Sequence, residues 1–148
     1  MEARKRATAS TGTEPPAGRS RILIVDAYGS SREGLSAALR RGGDAVDTAV
    51  GSWEAIQQAK DRSYGIAIID VDLPPAHGVA MNGWDLARIF RAFHPAAAII
   101  LVVAEWRSEL ASRAEALGRV RLVEKPVNPA ELRVLVKALQ SQSLSPSA

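Results

Sequence analysis

Residues 65–74 read GIAIIDVDLP, an apolar run that ends in two aspartates and a proline. A strand with one wet face alternates apolar and polar residues, and Ile66 to Ile69 do not. The run therefore predicts a strand covered on both faces, as in parallel sheets flanked by helices. Two further stretches read the same way, RILIVD at 21–26 and AAIILVV at 97–103. Weaker runs at Ala45–Val50 and Val120–Glu124 complete a set of five.

Helical patterns fall between the runs. Ser31–Arg41 carries Leu35, Ala38 and Leu39 at core spacing and stops at Gly42-Gly43. Ser52 stands where an N-cap belongs, ahead of Ala55, Ile56 and Ala59. Asn82 can cap a helix with Trp84, Leu86, Ile89, Phe90 and Phe93 on its apolar side, closed by His94-Pro95. Ala104–Leu117 is a weaker helix, and Asn128-Pro129 opens a last one holding Leu132, Leu135, Val136 and Leu139. Strands alternating with helices, without internal repeats, predict an α/β protein with a parallel sheet.

In such sheets ligands bind at the carboxyl ends of the strands. Asp26 ends the first run, Asp70 the third with Asp72 just beyond, and Glu124-Lys125-Pro126 the fifth. Acids gathered on an apolar scaffold have raised pKa values unless a cation compensates, and Lys125 or a divalent ion can supply it. Taken singly, each has a plainer reading. An aspartate closing a strand often caps the next helix, and a lysine before proline is usually solvated.

The composition narrows the function classes. The 148 residues include no cysteine, which removes disulfide scaffolds, thiolate metal sites and cysteine nucleophiles. The longest apolar run, Ala96–Ala104, is nine residues, far short of the roughly 20 that span a bilayer. Met1–Ser20 has charge but no apolar segment behind it, so it does not read as a secretory signal. The sequence pI of about 9.7 suggests nucleic acid, but the net charge is only +3. Arg4, Lys5, Arg6 and Arg19 against Glu2 and Glu14 place +2 of it in residues 1–20. Residues 1–20 and 141–148 read as disordered tails around a near-neutral body at 21–140.

From Arg21 to about Gln140 the chain resembles the receiver domain of bacterial two-component response regulators. The matching stretches are ILIVD at 22–26, IIDVDLP at 68–74, NGWDLARIFR at 82–91 and EKP at 124–126, with Gly118 seven residues before Lys125. The resemblance implies a doubly wound, flavodoxin-like (α/β)5 fold with strand order 2-1-3-4-5. It implies that Asp70 is the phospho-acceptor, attacking a phosphohistidine carried by a sensor histidine kinase or histidine phosphotransfer protein. Lys125 and Mg²⁺ would then neutralise the phosphoryl oxygens, the metal being held by Asp26, Asp70 and the Asp72 backbone carbonyl. A cytoplasmic location, a downstream protein target and pairing through the fourth helix, fifth strand and fifth helix belong to the same family picture.

The chain departs from that pattern at four places. The family's second acid at the end of the first strand is Ala27 here, which weakens the Mg²⁺ site or abolishes it. Its Ser or Thr at the end of the fourth strand is Val103, which has no donor for a phosphoryl group. Its aromatic switch residue on the fifth strand is Leu122. The loop at 74–83 offers both Gly78 and Gly83 for one family glycine, implying an insertion of roughly five residues. His77 inside that loop can reach toward the acids, although a solvated loop histidine is the plainer reading. His94 reads as a cap or surface residue. Trp84 and Trp53 are expected to pack on the sheet or its edge. Trp106 opens the fourth helix, either as an exposed interface anchor or packed on its own helix.

The leading expectation is a stand-alone receiver acting through protein contacts, since the short C-terminal stretch is too small for an output domain. Asp70 is either phosphorylated, with altered coupling, or the chain is a pseudo-receiver that docks without phosphorylation. Asp70, Asp72 and Lys125 favour the first, and Ala27, Val103 and Leu122 the second. A phosphohydrolase using Asp70 as nucleophile ranks below both, because it needs the metal site that Ala27 compromises. Nucleic-acid binding through the tail also ranks below, because Arg4-Lys5-Arg6 is its only basic cluster and no aromatic residue accompanies it.

Overall fold

The computed structural model describes residues 21–144. Five strands alternate with five helices: β1 (Arg21–Val25), α1 (Gly29–Arg41), β2 (Val46–Ala49), α2 (Ser52–Asp61), β3 (Tyr64–Asp70), α3 (Gly83–Phe93), β4 (Ala98–Val103), α4 (Ser108–Leu117), β5 (Val120–Glu124) and α5 (Pro129–Leu144). All strand pairs are parallel and the order is β2-β1-β3-β4-β5. The expected α/β architecture and its strand order are both present.

Every residue of β1 and β4 is buried, as their unbroken apolar sequences require. Alternate residues feed two cores. Leu23, Val25, Ile69, Leu101 and Phe90 pack on one face, under α2, α3 and α4. Ile22, Ile24, Ile68, Ile100 and Val102 pack on the other, with Leu35 and Leu39 of α1 and Leu132, Val136 and Leu139 of α5. Each such side chain removed from water contributes about 1.5 to 3 kcal/mol.

Asn82 caps α3 as expected: its side chain accepts from Asp85 N–H at 2.9 Å, and the Asp85 carboxylate accepts from Asn82 N–H, closing a capping box. Other boundaries differ. Ser52 is the first residue of α2 and is buried, while extended Gly51 occupies the N-cap without a side-chain bond. α4 begins at Ser108, because residues 104–107 form a loop held by Glu124, whose carboxylate accepts from Trp106 N–H at 3.0 Å. Trp106 therefore precedes the helix instead of opening it. α5 runs to Leu144, so 141–144 are helical and not tail; no proline or glycine interrupts the sequence before Pro146. The expected disorder at 1–20 and 145–148 lies outside the described residues.

Trp84 is buried against the α3 face of the sheet, with the Arg113 guanidinium 4.4 Å above its ring. Trp53 does not pack on the sheet. It is 51% exposed, because it lies on the outer side of the first turn of α2 while Ala55 and Ala59 face inward. At the opposite end of the strands, Asp47 is fully enclosed by Arg21 at 3.1 Å, Arg62 at 3.5 Å and the Tyr64 hydroxyl at 2.7 Å.

Candidate functional site

β1, β3 and β5 deliver Asp26, Asp70 and Lys125 to one end of the sheet. Asp70 is 4% exposed, and its Oδ2 lies 2.9 Å from Lys125 Nζ. Its Oδ1 accepts from Asp72 N–H at 2.8 Å. The Asp72 carboxylate turns back to the same ammonium at 3.6 Å, so one cation serves two acids. Burial alone would lower the Lys125 pKa. The hydrogen bond and charge of Asp70, aided by Asp72 and Asp26, outweigh it and hold the ammonium above its ordinary value.

Asp26 behaves as a helix-starting aspartate as well. Its Oδ1 accepts from Tyr28 N–H at 2.9 Å and its Oδ2 from the Ser31 hydroxyl at 2.6 Å, tying it to the start of α1. Its backbone carbonyl accepts from the Arg32 guanidinium at 2.8 Å. Lys125 is placed by the sheet: its N–H donates to the Val103 carbonyl at 2.9 Å, continuing the β4–β5 ladder past Glu124. The Lys125-Pro126 peptide is cis.

Val103 is buried at the end of β4 and presents only methyl groups. Leu122 is partly buried against the α2–α4 core. No hydroxyl or aromatic ring stands at either position. Trp106 is 54% exposed on the neighbouring loop and lines a groove with Ala111, Glu115 and Leu122.

The 74–82 loop folds on itself. Ala76 and Val79 exchange both backbone hydrogen bonds around His77-Gly78, whose φ values of 54° and 74° make a type I′ hairpin turn. The His77 ring rests on Trp53, with centroids 5.0 Å apart, and among the described residues it forms no ion pair with the acids. Gly83 is fixed by sterics: a Cβ there would fall 2.4 Å from the Asp70 carbonyl oxygen. Gly78 faces open space and is required by its φ alone. His94 ends α3, and its Nε2 lies 2.9 Å from the Ala59 carbonyl, joining α3 to α2.

Sequence reasoning missed Tyr28, whose ring lies 5.9 Å from the Lys125 ammonium, and Ser31. A serine in the first turn after a strand-ending aspartate was the available signal for Ser31. Nothing local points to Tyr28, because its contact is made across two loops.

The acidic side chains at the ends of β1 and β3 offer carboxylate oxygens, the donor type that suits a hard cation such as Mg²⁺. Among the described residues, no group of three or more His, Asp or Glu side chains is placed to hold a metal. The Asp26 and Asp70 carboxylates are donors of that kind, and Ala27 beside Asp26 adds none.

A family model described as response regulator receiver domain matches residues 22–137. The Escherichia coli K12 transcriptional regulatory protein CusR is 29% identical over 119 residues, covering 80% of this chain and 50% of the relative. The Anaeromyxobacter response regulator receiver protein Anae109_2439 is 30% identical over 107 residues, covering 72% and 43%. The chain thus spans about half the length, or less, of these curated relatives. The Vibrio cholerae chemotaxis protein CheY4 superposes with a TM-score of 0.73 at 25% identity, covering 82% of this chain and 98% of its own. No described helix is long and apolar enough to cross a membrane. With the matched stretch running from β1 into α5 over the observed fold, this chain belongs to the response regulator receiver domain family.

Proposed function

We propose that the chain accepts a phosphoryl group on Asp70 in two-component signalling and acts through protein contacts. The observation that carries this reading is the 2.9 Å Lys125–Asp70 pair at the carboxyl end of the sheet. A carboxylate attacking a phosphorylated donor needs positive charge beside the incoming oxygens. One Asp70 oxygen forms the new bond to phosphorus while the bond from phosphorus to the donor's imidazole nitrogen breaks. The imidazole leaves with that electron pair. Lys125 stays protonated and shifts from the carboxylate to a phosphoryl oxygen. Asp26, Asp70 and the Asp72 carbonyl would hold Mg²⁺, which when bound neutralises further phosphoryl charge. The partners are a sensor histidine kinase or phosphotransfer protein and a downstream protein.

A second reading, a pseudo-receiver that docks without phosphorylation, draws on Ala27, Val103 and Leu122. The Asp26 carboxylate, already engaged by Tyr28 N–H and Ser31, favours it too. Incubation with a small acyl phosphate and Mg²⁺ separates the two. Phosphorylation predicts that the wild type gains one phosphoryl group by intact-mass measurement and that Asp70→Asn gains none. If neither is labelled and Ala27→Asp restores labelling, the metal site is the defect. Failure of all three supports the pseudo-receiver.

A further inference from the structure

A pocket of about 220 Å³ lies between α3 and α4, lined by Trp84, Arg88, Arg113, Ala116 and Leu117. Its volume is below the range of about 300 to 1,000 Å³ in which whole small molecules bind, and suits a single side chain. Trp84, Ala116 and Leu117 give it apolar walls, and Arg88 and Arg113 give it charge. Neither Asp70 nor Lys125 lines it.

Three guanidinium groups gather around it. That of Arg113 lies 4.4 Å above the Trp84 ring, which fixes its plane and leaves its N–H donors unspent. Among the described residues, no carboxylate is within ion-pair distance of Arg113, although Glu109 stands one turn earlier on α4. The Arg88 side chain is 62% exposed and pairs with Asp85 at 3.3 Å, a surface pair of little net worth that a ligand can displace. Arg91 donates to the Leu117 carbonyl at 3.3 Å and to that of Gly118, bonds that satisfy its donors without cancelling its charge. Burial, and then the neighbouring charge of Arg119, lowers the Arg91 pKa. Glu115, the other acid of α4, lines the groove with Trp106 instead.

We infer that this pocket docks an acidic segment of a partner protein. A carboxylate of the segment meets Arg113 and Arg88, and an apolar side chain beside it covers Trp84, Ala116 and Leu117. A guanidinium held flat on a ring presents a rigid fork that matches a carboxylate, and arginine and tryptophan are the side chains that most often anchor protein interfaces. A nucleic-acid backbone is disfavoured, because it needs a run of free cations and Arg91 is already committed to carbonyls. The docking uses no group of the strand-end site, so it holds whether or not Asp70 is phosphorylated.

NMR titrations of the full chain test this, without phosphodonor, using blocked pentapeptides of sequence EELEE, QQLQQ and EEGEE, inorganic phosphate and a short DNA duplex as probes. The expected result is saturable shifts from EELEE at the Trp84 indole N–H and the Ala116 and Leu117 amides. QQLQQ and EEGEE should each bind more weakly by about tenfold. Arg113 and Arg88 are exposed, so Arg113→Gln and Arg88→Gln should fold, the first weakening EELEE by about tenfold and the second by less. QQLQQ binding as tightly as EELEE would overturn the carboxylate contact, and EEGEE doing so would overturn the apolar one. Phosphate or the duplex binding as tightly as EELEE would overturn the acidic-segment assignment. Unsaturable shifts, or full binding to both variants, would overturn the site.

Discussion

Gly83 packs against the backbone of Asp70 so closely that a side chain there would lie 2.4 Å from the Asp70 carbonyl oxygen and 2.5 Å from the Val71 Cα. Gly83 N–H also donates to the Val71 carbonyl at 2.9 Å, so the first turn of α3 is seated on the strand end that carries the acid. Both clashing atoms are backbone, and neither can rotate away. Gly83→Ala should therefore cost about 1 to 3 kcal/mol, the usual penalty of overpacking, and shift the amide signals of residues 70–72. Gly78→Ala should cost about 1 to 2 kcal/mol through backbone strain alone and leave those signals in place. Urea melts and amide spectra of the two variants check the contrast.

Removing the Lys125 ammonium leaves Asp70 buried without a cation. Lys125→Met should destabilise the domain by about 1 to 3 kcal/mol, below the penalty for a fully buried pair because Lys125 is partly exposed. In an Asp70→Asn background the same change should cost much less, since the charge that needed compensation is gone. Because the folded-state pKa of Lys125 is raised, its contribution is complete below the unfolded value of about 10.4 and is lost as pH rises through the folded one. Denaturant midpoints at neutral and alkaline pH test both the coupling and its sign.

Tyr64 supplies an independent alkaline signal from the far end of the sheet. Burial, then the hydrogen bond to Asp47 and that residue's charge, push its pKa well above the ordinary value against the opposing charges of Arg62 and Arg21. The neutral phenol stabilises the fold, so this contribution is intact below about pH 10 and is lost above it. In a Tyr28→Phe variant, which leaves Tyr64 as the chain's other tyrosine, tyrosinate absorbance should appear only as the protein unfolds. Absorbance rising while circular dichroism stays native would contradict this.

Val103→Thr places a hydroxyl among buried groups at the end of β4. Without a phosphoryl group to receive it, the resting protein should lose about 1 to 2 kcal/mol. If Asp70 carries a phosphoryl mimic such as beryllofluoride, that loss should shrink, because the hydroxyl gains an acceptor. Thermal shifts with and without the mimic measure the difference, and an equal loss in both states would place the hydroxyl out of reach.

Much of the architecture was legible locally. GIAIID and AAIILVV have no polar residue inside them, so their burial on both faces follows from composition alone. Asn82 and Asp85 meet within a single helical turn, so their capping box needs nothing from the rest of the chain. Ser52 and the start of α4 were misread because Gly51 and Glu124 decide them, the latter by a bond across 18 residues. Trp53 was misplaced because helical spacing gives a face but not what covers it.

For the site, the sequence by itself determined which side chains end the central strands, and that Ala27, Val103 and Leu122 carry no carboxylate, hydroxyl or aromatic ring. Those are properties of residue type and position, and no fold can change them. Tertiary structure alone decided that Lys125 is divided between Asp70 and Asp72, and that Asp26 serves the start of α1. It also seated His77 on Trp53 and Arg113 on Trp84. Each of these depends on angstrom-scale distances between segments far apart in the chain, set by how helices pack on the sheet.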